Sequence, residues 1–464
     1  MSTPMNEDSP ASYGTEDNIP SFLPVSSSTL ALIFEWVALL PLVIYLASGH
    51  FSYQLVGRTA LASRIGTGFF PPLGVLAAIS DFMSGSADFI DRACSISEDR
   101  RTVWDTNWGS VFPCANGSAS DILTKQAVRG VPVVPIGEKA LGIDVQDNGG
   151  TQSKEQRVTT KEKNGTPKTQ RRRYQTLYIL DCLNPPQNAP IPRAIPFTSI
   201  SLSMALESLI LLSILGLISL TILYGLYGTT ACLVVTFFFR LSRRLVRVAR
   251  PGGYLTSNEE IPACMLVGIH ENASTWYLYR GSRAVVDTLL NKPMIHSITS
   301  PLGAALPLFL RALGALQLIA MTFVAAQKGW DGVALLALIT ATWATNSLCY
   351  SEDRLACSWM RREGVSMEVR GYRFGGRTAM LGAIQLLKSE KVTVWMDGIL
   401  APSPRREVWL ARLNGETDEK WRTLEKHLTK HDRSWLEINT EQSRLAAEII
   451  KSSAGSVSTP IAEC

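Results

Sequence analysis

Four long apolar runs limit the possible folds of this chain more than any other feature of its sequence. They extend from Thr29 to Ala47, from Ser208 to Phe239, from Gly303 to Ala326 and from Gly332 to Cys349. A helix needs about 20 apolar residues to cross the hydrocarbon core of a bilayer, so each run is long enough to span a membrane. Charged residues make up only 18% of the chain, which is low for a soluble protein. The sequence therefore predicts a mainly α, multi-pass α-helical membrane protein with a small α+β cytoplasmic module.

A weaker apolar run, Ile65 to Phe82, decides between four and five spans. If it crosses the membrane, five spans place the N-terminus outside. If it is re-entrant or a soluble core segment, four spans place the N-terminus inside. The flanking residues Arg58 and Arg64 favour five spans, because basic flanks stay in the cytosol. In either case residues 84–198 are predicted to lie outside.

The predicted segments follow from these runs. Residues 1–28 contain no Lys or Arg, unlike the start of a cleavable signal peptide, so the first run is predicted to stay as an anchor. In chain order the segments are a disordered acidic tail (1–28), the first span with the weak or re-entrant second one (29–83), an outer segment disordered around 149–170 (84–198), a span with a basic interfacial helix (199–250), a cytoplasmic β-β-α part (251–300), a transmembrane hairpin (301–350), a cytoplasmic β-α-β-β part (351–414), and an amphipathic helix with a disordered tail (415–464).

Five arginines follow the second apolar run and set the predicted orientation. They are Arg240, Arg243, Arg244, Arg247 and Arg250. Basic clusters beside a span stay on the cytoplasmic side. Their helical spacing, with apolar residues on another face, is also typical of an interfacial helix that contacts anionic lipid headgroups, and plain topogenic charge is the alternative. The run before them is too long for one untilted span and short for two. A tight hairpin at Tyr224–Gly228 would leave a second leg of only about a dozen residues, so we expect a single span that ends near Gly228.

The outer segment carries two N-glycosylation triplets, at Asn116 and Asn164. It also contains Cys94, Cys114 and Cys182, which an oxidising compartment would allow to form one disulfide bridge. The alternative is that such triplets occur by chance in a chain of this length. The cysteines lack the CxxC spacing of structural zinc sites, so no metal site is predicted.

Two stretches change from helical to alternating periodicity, which predicts strands. The first gives strands in 265–281 and a helix over 282–291, and the second gives a strand over 365–374, a helix over 377–388, and strands over 392–396 and 407–413. We expect these two parts to pair into one module, the alternative being two unrelated loops. Residues 418–451 predict one amphipathic helix that docks on the module.

Charged residues inside the apolar runs are candidates for function, because a charge in hydrocarbon is costly. Glu35, Glu207 and Arg311 meet this criterion. A functional pair between Glu207 and Arg311 would need helix tilt, and snorkelling of each charge to the nearest interface is the simpler explanation. The sequence has no nucleophile elbow, phosphate loop or HExxH motif, so no catalytic residue, cofactor or metal is predicted.

Several short motifs resemble multi-pass membrane proteins of filamentous ascomycete fungi. The motifs are WYLY at 276–279, VDTLLNKPM at 286–294, GRTAM at 376–380, WMD at 395–397 and PRR at 404–406. The similarity covers roughly residues 200–414. Those fungal proteins are uncharacterised, so the resemblance implies a lineage and a membrane location but no activity.

These observations favour a non-enzymatic membrane-anchored binding or scaffolding protein, of the plasma membrane or of an internal membrane. Its expected partners are the lipid bilayer, anionic lipid headgroups and a cytoplasmic protein, and the small net charge gives no sign of nucleic-acid binding. The first alternative is a subunit of a transporter or channel that uses the intramembrane charges. The second is a lipid-acting membrane enzyme that uses His270, Asp287 and His296.

Overall fold

Helices and strands alternate along much of the chain. The computed structural model describes residues 35–43, 51–66, 69–72, 74–96, 100–136, 157–158, 170–171, 174–183, 197–259, 261–327, 329–349, 351–388 and 390–453. The strands are β1 (Thr102–Asp105), β2 (Val111–Pro113), β3 (Val133–Ile136), β4 (Arg157–Val158), β5 (Gln170–Arg171), β6 (Gln175–Leu183), β7 (Arg247–Ala249), β8 (Ala263–Gly268), β9 (Thr275–Gly281), β10 (Ser297–Thr299) and β11 (Ser366–Phe374). The helices are α1 (35–43), α2 (Phe51–Ala62), α3 (Val75–Ile96), α4 (Gly117–Val128), α5 (Phe197–Leu223), α6 (Tyr227–Arg243), α7 (Arg283–Leu290), α8 (Ala305–Gln327), α9 (Trp330–Cys349), α10 (Glu352–Glu363), α11 (Arg377–Leu387), α12 (Pro404–Asn414), α13 (Glu419–Lys426) and α14 (Lys430–Ser453).

Seven strands form one mixed sheet at the centre of the fold. Their order is β2-β1-β8-β9-β6-β11-β3. β6 runs parallel to β9 and β11 runs parallel to β3, while the other neighbours are antiparallel. Side chains alternate between the two faces of a strand. In β9, Trp276 and Leu278 therefore lie on one face, and Tyr277 and Tyr279 lie on the other.

Helices cover both faces of this sheet. On the face of Trp276 and Leu278, α11, α12 and α14 form an apolar core that includes Trp395 and Trp409. On the face of Tyr279, α2, α4, α7 and α10 contribute to a second core. The result is a three-layer α/β/α arrangement, which we call the sheet domain.

Four further helices form an apolar layer beside the second core. α5 and α6 make one hairpin, α8 and α9 make another, and α6 packs against α5, α8 and α9. β7 follows α6, β10 precedes α8, and the two strands pair with each other. One end of this helical layer therefore adjoins the sheet domain. We call it the domain end, and the opposite end, at the α5–α6 turn, the far end.

The predicted fold class is wrong, because the central sheet joins segments that were assigned to opposite sides of a membrane. Four strands, β1, β2, β3 and β6, come from residues 84–198, which were predicted to lie outside. β6 is hydrogen-bonded to β9 and β11, which come from the predicted cytoplasmic parts. Neighbouring strands are about 4.8 Å apart, so a bilayer cannot separate them. The described part of the chain has a seven-stranded mixed sheet and two candidate membrane spans, and it is not a multi-pass helical membrane protein.

The second apolar run forms two helices instead of one span and an interfacial helix. α5 ends at Leu223, Gly225 has a φ of 69°, and α6 begins at Tyr227. Glycine adopts a positive φ at little cost, so the chain reverses direction there. α6 therefore folds back along α5.

Two predicted strands near the C-terminus have other conformations. Residues 407–413 lie in α12, because the Ser403 hydroxyl accepts a hydrogen bond from the Arg406 N–H (3.2 Å) and caps the helix. Residues 392–396 include a 3-10 turn, Val394–Met396, instead of a strand. The strands predicted in 265–281 and over 365–374 agree with β8, β9 and β11, and the two predicted helices after them agree with α7 and α11.

The predicted C-terminal helix is divided in two. The Asp432 N–H donates to the Thr429 hydroxyl (3.1 Å), and that hydroxyl donates to the Asp432 carboxylate (2.7 Å). This reciprocal pair caps a new helix, so α14 begins separately from α13. α14 packs on α11 and α12, which is the docked position expected from the sequence.

Candidate membrane interface

Large apolar side chains point outwards from the helical layer. They are Trp36, Leu39, Leu40 and Val43 on α1, Leu209, Leu212, Leu215, Leu220, Ile222 and Leu223 on α5, Leu308, Phe309, Leu316, Ile319 and Phe323 on α8, and Trp343 on α9. We call this set the apolar band. Soluble proteins rarely expose contiguous apolar patches of more than a few hundred Å², and larger patches usually mark a membrane or protein interface.

Two helices of the layer are long and apolar enough to cross a membrane, judged by length and composition. The first is Ala305–Ala326 in α8, with a mean hydropathy of 1.8. The second is α9, the apolar part of the stretch Trp330–Glu363, whose mean hydropathy is 1.4. In the most apolar stretch of each helix, only 33% of the residues of the first and 19% of those of the second are buried inside the protein. Most of each helix therefore faces outwards. The sequence predicted four or five spans, but the described residues contain only these two candidates. The two candidate helices indicate membrane association.

The uncharged length of the layer is close to the thickness of a bilayer core. On α5 no charged residue follows Glu207 up to Leu223, a distance of about 24 Å at 1.5 Å per residue. On α8 no charged residue follows Arg311 up to Gln327, which is also about 24 Å. A bilayer core is about 30 Å thick. The apolar band is therefore tall enough to fill most of the core.

Glu207 lies at the domain end of the band and pairs with two arginines of α6. Its carboxylate forms an ion pair with Arg243 and a longer one with Arg240, whose Nη1 is 3.5 Å from Oε2. Arg240 is 2% exposed, and its Nε also donates to the Phe69 carbonyl (3.2 Å). The hairpin turn after α5 brings these oppositely charged groups to the same level. Sequence reasoning missed this pairing because it treated α6 as a continuation of α5.

Arg311 pairs with a residue of α3 and not with Glu207. Its Nη2 lies 2.5 Å from Oδ1 of Asp81, and at least half of each side chain is exposed. Such exposed pairs contribute little to stability, about 0–1 kcal/mol. Glu207 and Arg311 thus both lie near the domain end, each with its own partner, and the structure does not bring them together.

The far end of the layer carries Asp331 and Glu35. The Asp331 carboxylate accepts hydrogen bonds from the backbone N–H groups of Gly228 (2.7 Å) and Thr229 (2.8 Å) and so caps α6. Gly332 packs closely against Ala38 of α1, which places Glu35, one turn away, at the same end. The sequence analysis did not identify this cap. The signal was a lone carboxylate in the first turn of an apolar helix.

The short segment 69–72 enters the helical layer from the domain end and turns back. Phe70 is buried among apolar side chains of α6 and α8. The Gln317 side-chain amide donates to the Pro71 carbonyl (3.0 Å), and this satisfies a backbone group that cannot reach water there. α2 and α3, on either side of this segment, both pack in the second core of the sheet domain. The described residues of the Ile65–Phe82 run therefore do not cross the layer.

The five arginines after the second apolar run divide into two groups. Arg240, Arg243 and Arg250 are ion-paired, the last with Glu363 (2.8 Å). Arg244 and Arg247 are exposed. The predicted interfacial helix ends at Arg243, because the chain then pairs with β10 as β7. The second group is therefore the part of the cluster that is open to solvent.

The predicted glycosylation site at Asn116 is buried. Its Nδ2 donates to the carbonyls of Thr288 (2.8 Å) and Lys292 (2.7 Å), and its Oδ1 accepts from the Met294 N–H (2.9 Å). Asn116 is 5% exposed, so the folded domain has no space for a glycan on this amide. Asn164, the other predicted site, lies outside the described residues.

A buried charged cluster lies between the sheet and α4, and sequence reasoning did not find it. Arg101 is 8% exposed, forms an ion pair with Asp121, and stacks over the Tyr277 ring at 5.2 Å. Burial lowers the pKa of Arg101, but Asp121 and the nearby tyrosines outweigh it, and the net shift is upward. Burial raises the pKa of Tyr279, which shares a 2.5 Å hydrogen bond with Thr124. The cluster is enclosed and stabilises the packing of α4.

The residues considered for a lipid-acting enzyme do not assemble. Asp287 lies beside Arg283 (3.4 Å), and burial raises its pKa while Arg283 opposes that shift. His270 is in the β8–β9 turn, where its Nδ1 accepts from the Asn272 N–H (3.0 Å). The β9 strand, about 20 Å long, separates that turn from α7. His296 is exposed beside β7.

Cys182 lies in the sheet core and keeps its proton to high pH. It is fully buried, and burial raises its pKa to about 12 from an ordinary 9.0. Burial also raises the pKa of Cys114 and Cys264. Thiolates are the reactive form of cysteine, so these thiols are inert in the folded domain.

We expect the sheet domain to lose stability as pH rises above about 9. The unfolded chain then releases the Cys182 proton while the folded state keeps it, so the unfolded state binds fewer protons and becomes favoured. Denaturant unfolding at pH 8 and pH 10 measures this loss. The Cys182→Ala variant should show a shallower fall between the two pH values, and an unchanged fall in that variant would contradict the assignment.

The apolar band offers a large exposed apolar surface, which usually marks a membrane or a protein interface. Among the described residues no group of three or more His, Cys, Asp or Glu side chains is arranged to hold a metal ion. Comparison with known protein families, with curated proteins and with solved structures gives no match.

Proposed function

We propose that this chain is a non-enzymatic, membrane-anchored binding protein that holds its sheet domain against one face of a bilayer. The apolar band carries the proposal: it has about the height of a bilayer core, and charged residues lie at both of its ends. Glu207 and Arg311 lie at the domain end, and Glu35 and Asp331 lie at the far end.

The hairpin connections support a single side for the whole sheet domain. α8 begins and α9 ends at the domain end, so the candidate spanning hairpin returns the chain to the side from which it entered. The α5–α6 hairpin also returns to that end. All seven strands can therefore share one compartment, as hydrogen bonding within one sheet requires.

The domain offers an exposed apolar edge to a protein partner. Val111 of β2, the edge strand of the sheet, and Trp108 in the turn before it are both more than half exposed. Exposed edge strands are templates for added strands, and exposed aromatic residues are frequent anchors of interfaces. We propose this edge as the contact for the protein partner expected from the sequence.

The transporter alternative is less well supported. A transport site would place unpaired charges inside the apolar band. Glu207 and Arg311 instead pair with Arg243 and Asp81 near the domain end. This arrangement favours a structural role in positioning the helices at the edge of the bilayer core.

An exposed isoleucine in the band and one outside it provide a matched test. Ile319 on α8 is 63% exposed, and Ile438 on α14 is 49% exposed. Aspartate in the middle of a spanning helix costs about 3 kcal/mol, so Ile319→Asp should reduce the fraction of protein retained in membranes after carbonate extraction. Ile438→Asp should behave as the wild type, since an exposed polar substitution in water changes stability by about 0.5 kcal/mol or less.

The comparison has two outcomes that would contradict the proposal. One is wild-type protein that carbonate releases from membranes and that stays soluble without detergent. The other is equal membrane retention of the Ile319→Asp and Ile438→Asp proteins, because lipid contact at α8 predicts a difference between them.

A further inference from the structure

We propose that Arg244 and Arg247, together with Leu241 and Leu245, form a binding site for the phosphate headgroups of anionic phospholipids. The site deepens the proposed membrane anchoring and rests on it. It selects one class of lipid, on the leaflet next to the sheet domain.

The site combines exposed basic and exposed apolar side chains. Leu241 is 45% exposed and Leu245 is 38% exposed, and they flank Arg244 at the end of α6. Arg247 follows at the start of β7 and is also exposed. Leucines and arginines interleaved at an interface place the leucines in the acyl region and the arginines among the phosphates.

Nearby carboxylates do not neutralise these two arginines. Glu207 pairs with Arg240 and Arg243, and Glu363 pairs with Arg250 and Arg362. Within the part of the chain that the structure describes, neither Arg244 nor Arg247 makes an ion pair. The paired arginines outnumber their carboxylates, so the whole surface remains positive.

Further exposed arginines extend this positive surface. The Ser63 hydroxyl is bound by both Arg250 and Arg362, which places the exposed Arg64 beside them. Arg361, next to Arg362, is exposed as well. Several basic residues close to a membrane surface attract anionic lipids within about one Debye length.

The height of the site matches the headgroup layer. Phe238 of α6 contacts Phe309 of the apolar band, with ring centroids 6.3 Å apart. Arg244 lies about one and a half turns after Phe238, which is about 9 Å further along the helix axis at 1.5 Å per residue. Arg244 therefore lies just beyond the edge of the apolar band, where a bilayer changes from hydrocarbon to headgroups, and Arg247 follows three residues later at the start of β7.

Native mass spectrometry of the full-length protein in detergent micelles tests the site. Phosphatidylserine and phosphatidylcholine are added at equal concentration, and the bound lipids are counted. Each basic residue near a membrane surface strengthens binding about fivefold. The ratio of bound phosphatidylserine to bound phosphatidylcholine should therefore be about 25-fold lower in the Arg244→Gln/Arg247→Gln protein than in the wild type. A control with the same loss of charge, Arg422→Gln/Lys430→Gln, changes exposed residues of α13 and α14 and should keep the preference.

Each remaining outcome overturns a specific claim. An unchanged preference in the Arg244→Gln/Arg247→Gln protein, with an unchanged melting temperature, overturns the site. Displacement of phosphatidylserine by inorganic phosphate at similar concentration overturns its assignment to lipid and indicates a free-phosphate site. A wild-type protein that binds neither lipid contradicts the proposed membrane anchoring and not the choice of arginines.

Discussion

Replacing Gly281 with alanine is expected to lower the free energy of unfolding of the sheet domain by about 4 kcal/mol or more. Gly281 ends β9 with a φ of 116°, which residues with a side chain rarely adopt. A Cβ at this position would lie 2.2 Å from the carbonyl oxygen of Cys182. That oxygen also accepts a hydrogen bond from the Ser282 N–H (3.0 Å), so the backbone cannot move away without breaking the junction between β6 and β9.

Denaturant unfolding followed by tryptophan fluorescence measures the loss. Gly398→Ala is the matched control, because a Cβ there would meet nothing within 4 Å. It should unfold at nearly the wild-type denaturant concentration. A Gly281→Ala protein as stable as the Gly398→Ala protein would contradict the close contact between Gly281 of β9 and the Cys182 carbonyl of β6.

Removing the Asp121 carboxylate is expected to cost about 3–5 kcal/mol, because it leaves a buried arginine without its counter-charge. Arg101 is 8% exposed, and its Nη1 already lacks a hydrogen-bond partner among the described residues. In Asp121→Ala the guanidinium would still contact the Tyr277 ring, which cannot replace a full negative charge. Thermal unfolding of the purified protein should show the loss as a large fall in melting temperature.

Two further variants separate this burial effect from ordinary surface charge. Lys125 pairs with the same carboxylate (2.6 Å) but its side chain is 67% exposed, so Lys125→Ala should cost about 1 kcal/mol or less. Replacing both buried partners, with Arg101→Met and Asp121→Leu together, should restore much of the stability that Asp121→Ala loses. Equal losses in Asp121→Ala and Lys125→Ala would show that Arg101 is not dependent on Asp121.

The strands that were predicted correctly are those with strong local patterns. β9 alternates bulky residues on both faces, and α7 follows it directly. β6 has a similar alternating pattern, with Leu177 and Ile179 on one face. It was missed because it lies in a segment assigned to the outer side of the membrane, where no partner strand was expected.

A single miscounted crossing accounts for most of the topological error. If Ser208–Phe239 is one span, residues before and after it lie on opposite sides of a membrane. The reversal at Gly225 makes it a hairpin, and both flanks then lie at the same end of the helical layer. Length and hydropathy do not reveal such a reversal, because the turn residues Tyr224 to Leu226 are as uncharged as the helices around them.

The candidate interface could be predicted only in part. The arginine cluster and the charges within the apolar runs were found from the sequence. Their partners were not, because the ion pair between Glu207 and Arg243 depends on the hairpin and that between Asp81 and Arg311 depends on the packing of α3 on α8. Contacts between residues so far apart in sequence leave no local pattern.

The interleaving of the sheet with the apolar hairpins affects how the protein is made. Leu180 of β6 is paired with Tyr279 of β9 and with Val369 of β11. Both partners come much later in the sequence, so β6 leaves the ribosome long before the strands that flank it. At about 5–20 residues per second, β6 waits roughly 10 to 40 s for β11 to be synthesised. During that interval both apolar hairpins also emerge. The half-made domain therefore presents unpaired strand edges to chaperones and proteases, and its yield in cells should depend on how fast translation passes through the two hairpins.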